Sequence, residues 1–110
     1  MASNFRVLDA ARLVVDDINQ MLDDRRFDMF YTTQLRESAG SITSNIREAY
    51  GRREGPERNQ FFRFARGSAE ETNERLRGNF AAKRVPTKWY WRVHHRLIII
   101  VRMLNVLMGE

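Results

Sequence analysis

Glu48 and Glu71 are the residues that first invite a chemical reading, because two carboxylates held together can pass a proton or grip a metal ion. Each stands in small polar company: Ser38, Ser41, Asn45, Glu48 and Arg52 in one stretch, Gly67, Ser68 and Glu71 in another. A di-iron site in a helical bundle takes Glu-x-x-His pairs, and no Glu of this chain has a His three residues later. His94 and His95 are adjacent, about 100° apart around a helix, whereas ligands on one face stand three or four residues apart. No His–Asp arrangement accompanies the serines, and no glycine-rich loop follows a strand to cradle phosphate. There is no cysteine, which excludes disulfides and thiolate metal sites. The expectation is a protein without metal or cofactor that binds rather than catalyses.

What remains is positive charge. Residues 1–28 hold four Arg against six Asp, a net of −2, so residues 29–110 carry +7 of the chain's overall +5. Arg47, Arg52, Arg53, Arg58, Arg63 and Arg66 cluster mid-chain, the electrostatic footprint of a protein that meets polyanions. An excess of 17 Arg over two Lys also follows from GC-rich codon usage, with the charges merely solvating helix faces. The clustering is what favours nucleic-acid phosphate, RNA or DNA, as the partner, through these six arginines. A self-assembling scaffold that binds a protein, its charge serving solubility, is the competing class.

These side chains must be positioned by helices. Leu35, Ala39, Ile42, Ile46 and Ala49 step by four, three, four and three, the inner face of a helix from about Tyr31 to Arg52. Beside that stripe an ordinary helix would place Lys, Glu or Gln; Ser and Asn form helix poorly because they compete for backbone hydrogen bonds. Their presence in line implies a use. Either Ser41, Asn45, Glu48, Gly67, Ser68 and Glu71 form a hydrogen-bonded layer that fixes packing, with Asn45 and Glu48 facing Ser68 and Glu71, or they form a binding surface. Gly67 suits close approach by another backbone.

The rest of the chain reads the same way. A first helix runs from about Asn4 to Asp23, with Leu8, Ala11, Val15, Ile18 and Leu22 inward and Val7, Val14 and Met21 as a second apolar line. Gly55-Pro56 opens a third helix, about Glu57 to Ala82, carrying Phe62, Ala65, Ala69, Thr72 and Leu76 inward. Thr87 is the expected N-cap of a fourth, about Lys88 to Met108, whose Tyr90, Val93, Leu97, Ile100, Leu104 and Leu107 keep a heptad. Four helices joined by short turns predict an all-α, antiparallel up-down four-helix bundle in a single domain spanning residues 1–110. Hydrophobic content of 43% with 30% charged residues suits such a globular chain.

The last helix carries apolar residues nearly all round: Trp91, Ile98, Ile99 and Val101 lie outside its inner stripe. A helix of that kind is covered on more than one side, so these four are the expected interface of a homo-oligomer. Met1 to Arg6 lead into an Asp-bearing helix rather than an apolar signal core. The longest apolar run, Leu97 to Val101, stops far short of the ~20 residues that span a membrane. A cytoplasmic location away from membranes is expected.

The stretch Ser41-Ile42-Thr43-Ser44-Asn45-Ile46-Arg47-Glu48-Ala49-Tyr50-Gly51-Arg52 resembles the Ser-Ile-Pro-Ser-Asn-Ile-Ala-Glu-Gly-x-Gly-Arg signature of the 23S rRNA intervening-sequence proteins, also called four helix bundle proteins. Gln60 to Glu71 resembles that family's Glu-Phe-x-x-Phe-Leu-x-Ile-Ala-x-Gly-Ser-x-x-Glu-Leu block. The family's proline is Thr43 here, its glycine is Ala49, and its Leu after the Glu is Thr72. The resemblance implies a bundle that assembles as a homo-oligomeric ring, typically a homopentamer, with a basic surface. Some members are encoded inside insertions of large-subunit rRNA genes. Relatives serve retroelements as accessory variability proteins, binding nucleic acid and a reverse transcriptase.

Overall fold

The computed structural model describes residues 6–110, which form four helices: α1 (Arg6–Asp23), α2 (Thr32–Tyr50), α3 (Pro56–Ala81) and α4 (Thr87–Met108). The expected start at Asn4 and the residues preceding Arg6 lie outside the described residues. Each helix packs on its neighbours in the chain, and α4 closes on α1, so the helices stand at four corners around one core. No strand occurs among the described residues. The molecule measures 44 × 22 × 21 Å, the long dimension matching the ~39 Å of a 26-residue helix.

The turns follow from local chemistry. Asp24 takes the Arg26 backbone N–H at 2.9 Å and its guanidinium at 2.7 Å, which holds the Asp24 carboxyl down at about 2 and stops α1. Gly55 adopts φ 147°, open to glycine alone, and Pro56 behind it starts α3 where no N–H is missed. Thr87 does not cap α4: Pro86, its φ preset at −61°, gives its carbonyl to Tyr90 N–H at 3.0 Å, so the helix begins one residue earlier. Thr43 sits within an unbroken α2 and its hydroxyl donates back to the Gly40 carbonyl at 2.8 Å.

The inner stripes of α2 and α3 are buried throughout. In α1 the deeper line is Val7, Val14 and Met21, while Val15 and Leu22 are half-buried, because α1 sits between α2 and α4 and its burial centres between the two lines. At the end of α4, Met108 replaces Leu107 in the core. A straight helix drifts ~20° per heptad, so a strict seven-residue stripe turns off the core by its last turn.

Candidate functional site

The antiparallel α2–α3 pair brings the six mid-chain arginines to one end of the bundle. There, two of them are already answered. Arg52 donates to Glu57 at 2.7 Å and to Glu48 at 2.6 Å, and its guanidinium lies 4.2 Å from the Phe61 ring centre. Arg66 donates to Asn105 at 2.7 Å and Glu110 at 2.8 Å, tying α3 to the end of α4 and holding the Glu110 carboxyl below its usual range. Arg58 lies over Phe62 at 5.3 Å with its Nε buried and unbonded. Phe62 meets Tyr50 edge-on at 5.6 Å, and burial raises the Tyr50 hydroxyl. Arg47, Arg53 and Arg63 are exposed; Arg63 has only a 3.4 Å bond to Gln60, and none of the three forms an ion pair among the described residues. Free positive charge at this end therefore comes from fewer residues than the sequence suggests.

Of the polar layer, one half assembles. Ser38, Ser41, Ser68 and Glu71 line a polar cleft of about 210 Å³ between α2 and α3, with Gln34, Glu37 and Arg75 at its rim. Thr72 hydroxyl donates to Ser38 Oγ at 2.8 Å and lies 2.7 Å from the Ser68 carbonyl, both side chains buried. Glu71 is paired with Arg75. Asn45 and Glu48 do not face Ser68 and Glu71: Asn45 donates to Ser41 O at 2.9 Å and the exposed Glu48 turns to Arg52. A Cβ on exposed Gly67 would meet nothing within 4 Å, so no backbone approaches it within one copy. The bond that joins the helices runs through Ser38 and Thr72. Thr72→Val is expected to cost about 1 kcal/mol or more, by removing the buried Ser38's partner, and Asn45→Ala less, side by side in thermal melts.

Two interior polar groups had readable signals. Asn79, fully buried, continues the α3 stripe three residues after Leu76; it accepts from Phe30 N–H at 2.7 Å and donates to Phe30 O at 3.1 Å and Arg75 O at 3.0 Å. Asp17 is only 3% exposed and meets Arg96 at 2.9 Å and Arg92 at 3.5 Å. Those arginines stand four apart on one side of α4, which was the clue. Burial raises the Asp17 carboxyl, against the pull of Arg96 and then Arg92. Asp17 thus answers α4, not the mid-chain cluster.

His94 Nδ1 lies 2.9 Å from Asn73 Oδ1 and its ring stacks on Tyr90, while burial lowers its basicity with help from His95 and Arg77. Among the described residues no three His, Cys, Asp or Glu gather to hold a metal ion, and no helix is long and apolar enough to cross a membrane. On α4, Trp91 and Ile99 are 45% and 48% exposed, whereas Ile98 and Val101 are half-buried along a groove of about 510 Å³ beside α3. Val106, 76% exposed, joins the outward apolar set.

No curated protein matches the sequence. Among solved structures, the chain is similar to a protein of unknown function from the S23 ribosomal protein family of Bacteroides thetaiotaomicron, with a TM-score of 0.85 at 20% identity, covering 94% of this chain and 99% of that one. At that identity the likeness is one of fold. The model of the 23S rRNA-intervening sequence protein family matches residues 3–106, nearly the whole of the bundle. The chain belongs to the 23S rRNA-intervening sequence protein family.

Proposed function

We propose that this chain is a non-enzymatic bundle that assembles with copies of itself, as a ring, and holds RNA or DNA by its backbone phosphates. The observation that carries the reading is the end of the bundle where Arg47, Arg53 and Arg63 stand exposed outside any ion pair among the described residues, with Arg63 alone feeling the Glu110 carboxylate at a distance. Exposed guanidinium groups form bidentate bonds to phosphate, and repetition around an assembly multiplies three such groups into a basic rim. The family's description, naming an rRNA insertion, agrees with a nucleic-acid partner. Arg52, bonded to Glu48 and Glu57, stiffens the α2–α3 turn beneath that rim, and Arg66 ties α3 to the end of the chain.

Binding should fall steeply with salt, by about 0.9 log units per tenfold salt for each phosphate contact on duplex DNA. Replacing Arg47, Arg53 and Arg63 together with Gln is expected to weaken retention of all sequences alike and to flatten the salt slope, with the bundle still folded. Filter binding of labelled RNA and DNA from low to physiological salt measures both. If the unmodified protein retains neither polymer at low salt, the nucleic-acid reading fails and a protein-binding scaffold takes its place.

A further inference from the structure

Two helix faces turned away from the core carry opposite charge at the same spacing. On α1, Asp9, Asp16 and Asp23 recur every seven residues and all are exposed, with Leu13 48% exposed among them. On α4, Lys88, His95 and Arg102 also recur every seven residues and all are exposed. Trp91, Ile99 and Val106 stand between them, and α4 contains no Asp or Glu at all. Seven residues make about two helical turns, about 10.5 Å, so the two rows have one pitch: Lys88 and Arg102 can meet two of the aspartates while His95 brings a ring N–H to the third.

Within a single copy the rows do not satisfy each other. The α1–α4 contact is made by buried Asp17 with Arg96 and Arg92, one position further round each helix. Asp9 reaches only its own helix, at 3.8 Å from Arg12, and Asp23 pairs at 2.6 Å with the exposed Arg36 of α2. Asp16, Lys88, His95 and Arg102 form no ion pair among the described residues. Such surface pairs exchange readily, because water screens them. What the α4 row lacks is an acidic helix, and what the α1 row lacks is a basic one with an apolar flank.

We infer that α4 of one copy docks along α1 of the next, its Lys88, His95 and Arg102 row against Asp9, Asp16 and Asp23, with Trp91, Ile99 and Val106 covering the Leu13 side. The occupant is a second copy because the complementary row lies in the same chain at the same pitch. The contact joins two different faces, so each copy offers one face to the copy before it and the other to the copy after it, and a rotation between copies that closes makes the ring proposed above. This interface rests on the self-assembly proposed for the protein and states where it occurs. It differs from the sequence expectation in leaving Ile98 and Val101, half-buried against α3, outside the contact.

Charge reversal tests it on the full chain, with native mass as readout and circular dichroism as the check on folding. Asp9→Lys with Asp16→Lys, and separately Lys88→Glu with Arg102→Glu, should each give folded monomers. The chain carrying all four changes should assemble again, as should an equimolar mixture of the two reversed proteins. Assembly that survives both reversals places the interface elsewhere and overturns this inference while leaving self-association intact. A monomeric wild type at micromolar concentration overturns self-association itself. Loss of RNA retention with undiminished assembly in the Lys88→Glu, Arg102→Glu chain would give the α4 face to nucleic acid instead, against the inference. Should a reversed chain not fold, the neutral Asp16→Asn and Arg102→Gln chains read the same contact, each expected to raise the concentration at which assembly half-dissociates by about two- to fivefold, and no change would count against it.

Discussion

Truncating Phe62 to alanine is expected to lower the free energy of unfolding by about 3–5 kcal/mol, the largest loss of any single change considered for this bundle. The ring is fully buried at the first turns of α3, edge-on to Tyr50 at 5.6 Å and beneath the Arg58 guanidinium at 5.3 Å. Removing it forfeits the transfer free energy of the side chain and leaves a cavity that helices pinned on both sides only partly close. Urea titration of the wild type and of Phe62→Ala and Phe62→Leu gives the measurement, with leucine retaining more of the volume and losing less. The consequence reaches the binding end. Arg58 loses the surface it lies on, and the turn bearing Arg53 loses its footing, so affinity for nucleic acid should fall even where the variant remains folded. A Phe62→Ala chain as stable as the wild type would mean that the ring is not packed as described.

The second large effect is expected at Asn79, where Asn79→Leu should cost about 2–3 kcal/mol. This side chain does the work of a neighbouring strand: its amide accepts from Phe30 N–H and donates to Phe30 O, fastening the α1–α2 connection to α3. Leucine fills a similar volume but leaves both backbone groups without a partner, and each buried orphan costs ~1–3 kcal/mol. Phe30 is 44% exposed, so water recovers part of the loss, which sets the estimate near the lower end of that sum. Arg84 clamps the same connection from outside, bonded to Asp28 and lying 4.3 Å from the Phe30 ring centre. With Asp28 fully in solvent and Arg84 only half-buried, that clamp is worth ~0–1 kcal/mol, so Arg84→Gln should scarcely move the unfolding midpoint. Hydrogen exchange at the Phe30 amide separates the two, quickening in Asn79→Leu and holding in Arg84→Gln. Equal protection in all three chains would refute the role given to Asn79.

The sequence by itself determined the four helices, the inner stripes of α2 and α3 and the family, because helical periodicity and two signature blocks are local properties. Leu35 through Ala49 and Phe62 through Leu76 needed nothing more than their spacing to be placed inside. The tertiary structure decided what depends on rotation about a helix axis and on the far side of the bundle. It moved burial in α1 toward Val7 and Met21, put Met108 in place of Leu107, and drew Asp17 inside to meet two arginines more than seventy residues away in the chain. It also divided the arginine cluster, since a guanidinium that finds a carboxylate, as Arg52 does across the α2–α3 turn and Arg66 does beyond the end of α4, is no longer free for phosphate. Local spacing can mark one side of a helix, as Arg92 and Arg96 four apart do, but it does not name a partner more than seventy residues away. Only the packing that sets helix rotation brings such groups within hydrogen-bond reach, and so decides which charges face outward.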